Sequence, residues 1–378
     1  MGSLVLMSFT HFANHVYVQV HLALIPVFMK EFGLSLAMIG ILLMIPILCE
    51  AIMTIPAGLV ADKVGHMKQI VLSMILTASG AALMTQAVNV YFVVISLCIL
   101  ALSTTVYHPP AYGATSEMFT TRRTTALGVF GAGGTLGWAL GPLSVGLFLS
   151  LGWRFVYVFW IFPILISIPF LLRMMKAESV KASSEPSKTQ SGGFRDVLTL
   201  TYATVLLMIA VNQFGRQIVT TFMSPYMVLE RGLDVATASY LIGAMSLAGL
   251  VGAPVGGFLA DKFGGKRYLT LSYAASIVTF LGFLFSTSVE WLFLAGFTYQ
   301  LCVYSGMGAN SALTARFTPK SRRGTGYALY FLPSYVAGAV APVTGGFISQ
   351  SWGIGIAFLF GIVGLVVSIG ILQLIPKD

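Results

Sequence analysis

Long apolar runs broken by short polar punctuation set the pattern of this chain. Twelve runs stand out, at about 3–29, 36–58, 68–88, 90–113, 124–149, 153–173, 199–228, 236–258, 267–287, 289–314, 324–348 and 353–375. A helix crossing the bilayer core needs about 20 apolar residues, and each run supplies roughly that. The runs are continuous and do not alternate at period two, so spanning helices are expected and a membrane barrel is not. The first run follows Met1 directly, contains several polar residues and is longer than a signal core, so it reads as a first spanning helix. One long polar stretch, KAESVKASSEPSKTQSGG from Lys176 to Gly193, falls between runs six and seven. It is Ser-rich, as a flexible linker is. The pattern predicts an all-α membrane protein. It has an N-terminal six-helix bundle at 1–175, a linker at 176–198 and a C-terminal six-helix bundle at 199–378.

Composition agrees with lipid as the main solvent. Charged residues are 9 % of the chain and hydrophobic residues 57 %, where a soluble domain carries roughly 25 % charged residues. The net charge of +9 does not signal nucleic acid, because the basic residues sit in short clusters between apolar runs. With the N-terminus in the cytoplasm, 17 Lys and Arg fall on the cytoplasmic side and only Lys30, Arg154 and Arg231 on the other. Under the positive-inside rule this split places both termini in the cytoplasm, with the protein in the cytoplasmic (inner) membrane. Cys49, Cys98 and Cys302 all lie inside apolar runs, without disulfide or metal spacing, and read as small packing residues.

The halves repeat. Asp62 and Asp261 are 199 residues apart, as are Pro26 and Pro225, Glu31 and Glu230, Gly33 and Gly232, and Trp153 and Trp352. RRTTALG from Arg122 is echoed by RRGTGYAL from Arg322. Parallel six-helix repeats are a known transporter plan, with the substrate site between the halves at mid-membrane.

The repeated phrases GLVADKVGHMK, from Gly58, and GFLADKFGGKR, from Gly257, carry a family likeness. Their Gly-x-x-x-Asp-Lys-x-Gly pattern resembles the signature loop of the major facilitator superfamily, and the likeness covers the whole chain. Glycines at Gly58 and Gly65 suit a tight turn and close helix approach. The resemblance implies that Asp62 latches onto the start of helix eleven, near Gly324, and that Asp261 faces the start of helix five, near Thr124. Lys63, Lys262, Arg122 and Glu117 are expected to complete this gate. Gly128, Gly137, Gly141, Pro142 and Gly146 resemble the antiporter motif of the same superfamily, with Val145 in place of one glycine. Together with SFTHFANH from Ser8 and YHP from Tyr107, they are similar to fosmidomycin-resistance-type efflux carriers. In those carriers an acidic residue often follows the helix-one Asn, where this chain has His15.

Polar groups inside the runs mark the candidate chemistry. Arg216 lies near the middle of run seven, where a cation costs at least roughly 2.5–3.5 kcal/mol unless paired or hydrated. Asn212, Gln213 and Gln217 share its stripe. Asn14, His15 and Gln19, with His11, form a matching stripe on run one, and Tyr107 and His108 lie in run four. These residues are the expected substrate contacts. Arg is the natural partner of a carboxylate, phosphate or phosphonate; the competing reading is an internal pair with an acid such as Glu50. Glu50 is the one acid well inside a run. An unpaired carboxyl in apolar surroundings takes up a proton readily, so Glu50 is a candidate proton carrier. His15 and His108 are its rivals. His11 and His15 have an i, i+4 spacing compatible with a metal, but no acidic or Cys ligand joins them, so no metal is expected.

No catalytic triad or nucleotide loop is visible, so neither an enzyme nor a cofactor is expected. The expectation is a monomeric, proton-coupled transporter in membrane lipid that exports a small anionic or amphipathic molecule by alternating access. An uptake symporter or exchanger, and a non-transporting membrane receptor, are the alternatives.

Overall fold

In the computed structural model, residues 2–179, 199–317 and 323–376 are described. Most of the expected linker at 176–198 lies outside them, as do the side chains of Asp62 and Lys63 and the surroundings of Gly58. Among the described residues every regular element is helical: α1 Gly2–Ala23, α2 Ile25–Phe32, α3 Leu36–Val64, α4 His66–Thr85, α5 Val90–Met118, α6 Arg123–Phe148, α7 Trp153–Ser179, α8 Leu200–Pro225, α9 Val235–Ser246, α10 Ala248–Phe263, α11 Gly265–Leu284, α12 Val289–Phe317, α13 Arg323–Trp352 and α14 Ile354–Leu374. Nine helices among the described residues are long and apolar enough to cross a membrane, and α1 with α2, bent by 53° at their junction, pass the same test taken together. The fold is an all-α, multi-pass membrane architecture.

The chain divides into two compact units. The first comprises Met1–Leu34, Ile45–Lys188 and Leu233–Gly243; the second comprises Ser35–Met44, Thr189–Gly232 and Ala244–Asp378. The segments that group with the opposite half, 35–44 and 233–243, occupy equivalent places in the repeat.

The turns show the duplication directly. Gly33 and Gly232 have φ of 63° and 70°, and Gly65 and Gly264 have φ of 88° and 87°. These left-handed conformations favour glycine at each pair. Helix starts are repeated as well. The Ser35 hydroxyl accepts the Met38 N–H at 3.2 Å, and 199 residues on the Asp234 carboxylate accepts the Thr237 N–H at 2.9 Å. Inside the first unit Ser73 Oγ donates to the Ser103 carbonyl at 2.9 Å; inside the second, Ser272 Oγ donates to the Cys302 carbonyl at 2.8 Å, again 199 residues later. These side-chain bonds tie α4 to α5 and α11 to α12 without exposing a polar group to lipid.

Glycines set the closest approach in the first unit. A Cβ at Gly133 would overlap the Ser8 carbonyl, one at Gly137 the Phe12 carbonyl, and one at Gly141 would sit 2.6 Å from the Val16 carbonyl. The four-residue spacing of these glycines lays the backbones of α1 and α6 against each other. Within the second unit a close backbone seam runs instead between α8 and α14, where a Cβ at Gly215 would overlap the Gly361 carbonyl.

Candidate functional site: a histidine cluster and a cationic stripe

Close packing of α1 on α6 gathers three imidazoles. His11 and His15 lie on one face of α1, and His108 reaches them from α5; one ring nitrogen of each lies within 4.8 Å of the others. His15 Nε2 and His108 Nε2 are 2.8 Å apart. The other nitrogen of every ring meets a backbone carbonyl: His11 Nδ1 and Phe130 O at 2.8 Å, His15 Nδ1 and Gly134 O at 3.2 Å, His108 Nδ1 and Thr104 O at 2.9 Å. His11 Nε2 is buried with no hydrogen-bond partner among the described residues. His11 stacks on Phe130 at 4.1 Å between centroids, and His15 stacks on Trp138 at 5.1 Å with a 9° interplanar angle. The pocket exists because position 134 is glycine, since a Cβ there would stand 2.6 Å from His11 Cε1 and 2.9 Å from His15 Nδ1. Gly133 and Gly134, absent from the sequence-based candidates, thus matter as much as Gly137 and Gly141. Gly128 lies against open space, and Gly146 faces the Tyr240 ring of the 233–243 segment.

Two expected substrate contacts are engaged elsewhere. Tyr107 is fully buried, its hydroxyl paired with Thr10 Oγ1 at 2.9 Å and donating to the Met7 carbonyl at 3.3 Å. Asn14 Nδ2 donates to Ser103 Oγ at 3.2 Å, and Asn14 Oδ1 accepts from Thr104 Oγ1 at 3.3 Å. Both hold α1 to α5, a structural task that polar stripes alone do not distinguish from ligand binding. Gln19 is half-buried, its Cβ 3.5 Å from where a Cβ at Gly141 would lie. Glu50 is half-buried in α3, and its carboxylate has no hydrogen bond or ion pair among the described residues; only its carbonyl is engaged, by Thr54 Oγ1. The neighbouring Cys49 and Cys98 are free thiols 3.6 Å apart.

The second unit presents a cation in place of histidines. On α8, Gln213 Nε2 donates to Gln217 Oε1 at 3.3 Å, and Gln217 Nε2 donates to Thr221 Oγ1 at 3.4 Å. Arg216 lies half-buried between them and forms no ion pair among the described residues. Asn212 Nδ2 is buried without a partner among the described residues. An internal acid holding Arg216 in place, the competing expectation, is therefore not found among the described residues.

Around the residues expected to form a gate, α6 begins at Arg123 and α13 at Arg323, near the expected starts. Asp261, Lys262 and Arg122 are exposed. Glu117 pairs with His66 at 3.4 Å. His66 was missing from the sequence-based candidates; the signal for it was its place directly after the Gly65 turn. Asp261 and Arg122 have no ion pair among the described residues.

Comparison with known proteins gives one consistent result. The family model described as Major Facilitator Superfamily matches residues 7–208 and 205–378. The fosmidomycin resistance protein of Escherichia coli (strain K12) is 23 % identical over 358 residues, covering 94 % of this chain and 84 % of that protein. The cis,cis-muconate transport protein of Acinetobacter baylyi is 26 % identical over 355 residues, covering 87 % of this chain and 83 % of that protein. Among solved structures, a bacterial homologue of the human lysosomal transporter Spinster superposes with a TM-score of 0.81 at 18 % identity, covering 99 % of this chain and 96 % of that one.

Proposed function

The chain belongs to the major facilitator superfamily, and on that premise we propose that it exports a small organic anion across the cytoplasmic (inner) membrane in exchange for protons. As a member it is a secondary transporter and not an enzyme. The observation that carries the anion reading is Arg216: a cation on a polar stripe, inside a spanning helix, with no acid partner among the described residues. Such a charge is retained where a ligand supplies its counter-ion. The guanidinium fork suits a carboxylate or phosphonate, with Asn212, Gln213 and Gln217 as neutral hydrogen-bonding neighbours. The name of the muconate relative supports a carboxylate, and that of the resistance relative supports export.

Glu50 is the proton carrier in this reading. It is a carboxyl in an apolar span, and it has no internal cation as partner among the described residues. Alternating access moves two six-helix halves, 1–175 and 199–378, joined by the 176–198 linker, in a monomer with both termini cytoplasmic. Asp62 and Lys63, with Gly58, Gly65, Asp261 and Lys262, form the cytoplasmic gate.

Thermal shift against a panel of dicarboxylates and phosphonates, followed by flux in proteoliposomes, tests the proposal. The purified protein is stabilised by an anion. Arg216→Ala abolishes that shift while keeping its own melting temperature, since an unpaired charge has been removed. Arg216→Lys binds much more weakly, because a point charge cannot reproduce a two-pronged contact. Glu50→Gln still binds but no longer drives export with a pH gradient. Retained binding in Arg216→Ala together with a lowered melting temperature would sink the anchor role. Unchanged pH-driven export in Glu50→Gln would remove Glu50 from the coupling.

A further inference from the structure

We propose that His11, His15 and His108 form a binding site for a transition-metal dication of the zinc, cobalt or copper type, held by three imidazole Nε2 atoms. The argument begins at the far side of each ring. A backbone carbonyl can only accept, so the Nδ1 atoms facing Phe130 O, Gly134 O and Thr104 O at 2.8, 3.2 and 2.9 Å carry the ring hydrogens. Each Nε2 is then left with its lone pair. Metal-ligating histidines show this arrangement: the second ring nitrogen donates to a carbonyl or carboxylate, which fixes the tautomer and the ring orientation.

Two observations at the near side favour a bound cation. His15 Nε2 and His108 Nε2 point lone pairs at each other across 2.8 Å, a repulsive contact unless something positive is shared. His11 Nε2 belongs to a side chain only 3 % exposed, and it has no partner among the described residues. A buried acceptor without a donor is costly. One cation bound to all three relieves both defects.

The donor set also selects the ion. Imidazole nitrogens suit zinc, copper and cobalt, and hard calcium or magnesium prefer oxygen. Three histidines with an open fourth position is an established zinc arrangement. Tetrahedral bonds of about 2.0–2.1 Å put neighbouring nitrogens roughly 3.3 Å apart. The 2.8 Å pair would open slightly and the His11 ring would close onto the ion, one ring nitrogen of each histidine already lying within 4.8 Å of the others. All three ligands are neutral, so a dication would draw an anion or hydroxide to the fourth position. The site lies in the first unit and stands apart from the Arg216 reading.

The test uses the full chain in detergent, purified through a tag without histidines and stripped with a chelator. Titration with Co2+ is expected to give the visible ligand-field absorption of a tetrahedral site, saturating at one ion per chain and displaced by one Zn2+. Zn2+ should raise the melting temperature of the parent. His108→Gln and His11→Gln should each weaken Co2+ binding roughly tenfold or more. His21→Gln, on the same helix but outside the cluster, should leave it unchanged. Absence of a saturable band in the unmodified protein overturns the proposal and leaves a proton shared by His15 and His108 as the occupant. So does equal affinity in His108→Gln and the parent. The parent titration decides the matter even if a variant fails to fold.

Discussion

Gly137 in the first repeat and Ala337 in the second occupy equivalent places, 200 residues apart, but their helices are packed differently. At Gly137 the backbone of α6 lies directly on that of α1. Eight residues beyond Ala337, at Gly345, α13 meets α8 through side chains: a Cβ there would meet the Phe222 ring at 2.8 Å and Ile218 at 3.1 Å. The second repeat makes close backbone approaches elsewhere, among them Gly215 of α8 on Gly361 of α14 and Gly256 of α10 on Ser305 of α12. Chemistry followed the seam. The residues 199 positions after His11, His15 and His108 are Ala210, Phe214 and Met307. In the first repeat the imidazoles can reach the Phe130 and Gly134 carbonyls because the two backbones are close. Turns and caps are thus the shared inheritance of the halves, and the position of the glycine seam decides which side chains each half brings together.

The sharpest way to break this contrast is to close the seam. Gly137→Ala is expected to destabilise the protein by about 1–3 kcal/mol, as overpacking of a tight contact does. Gly128→Ala, on the same helix but facing open space, should be neutral or slightly stabilising through helix propensity. Thermal unfolding of the two variants side by side measures the difference; equal melting temperatures would mean the seam is not tight.

A smaller effect separates Glu31 from Glu230. Glu230 accepts from Ile354 N at 2.5 Å and Gly355 N at 3.2 Å, capping the start of α14. Glu31 instead accepts from Trp153 Nε1 at 2.6 Å and pairs with Arg154 at 2.7 Å. Glu230→Gln should cost about 1 kcal/mol or somewhat more, because it removes charge at a helix N-terminus. Glu31→Gln should cost less than about 1 kcal/mol, as exposed ion pairs do. Chemical denaturation resolves the two, and equal costs would show that the repeated acid has one role in both halves.

The smallest expected difference is one of pH. Asp234 and Ser35 cap equivalent helices, and each loses roughly 0.5–1 kcal/mol on replacement by Ala. The Thr237 side chain and N–H hold the Asp234 carboxyl below its usual value of 3.8. A group whose folded pKa is lowered contributes above its unfolded value and loses that contribution as pH falls through the folded one. The cost of Asp234→Ala should therefore shrink as the pH falls below 3.8, while that of Ser35→Ala stays constant. Melting curves at neutral and acid pH check this.

Much of the fold was legible because membrane helices announce themselves by length and hydropathy, and because a duplication repeats its glycine turns at a fixed offset. His11 and His15 could be placed on one face of α1 from their four-residue spacing alone. Their meeting with His108 could not, since it depends on which way α5 rotates and on the missing Cβ of Gly134. Tyr107 and Asn14 looked like cavity residues by composition; their partners, Thr10, Met7, Ser103 and Thr104, come from the depth at which α1 and α5 cross. Glu117 found His66 because the Gly65 turn brings the start of α4 beside the end of α5. Asp62 of the repeated loop, plain in the sequence, has its side chain outside the described residues.

The stack of His15 on Trp138 has an optical consequence. An indole's emission depends on its surroundings, and this one lies nearly parallel to an imidazole whose other edge faces the cluster. The chain has five tryptophans, and Trp138 is the one whose ring rests on that imidazole. Whatever charge the histidines hold is felt across the stack by the indole π system. The first half therefore carries its own fluorophore, and a spectrometer can follow the occupancy of the cluster in unlabelled protein.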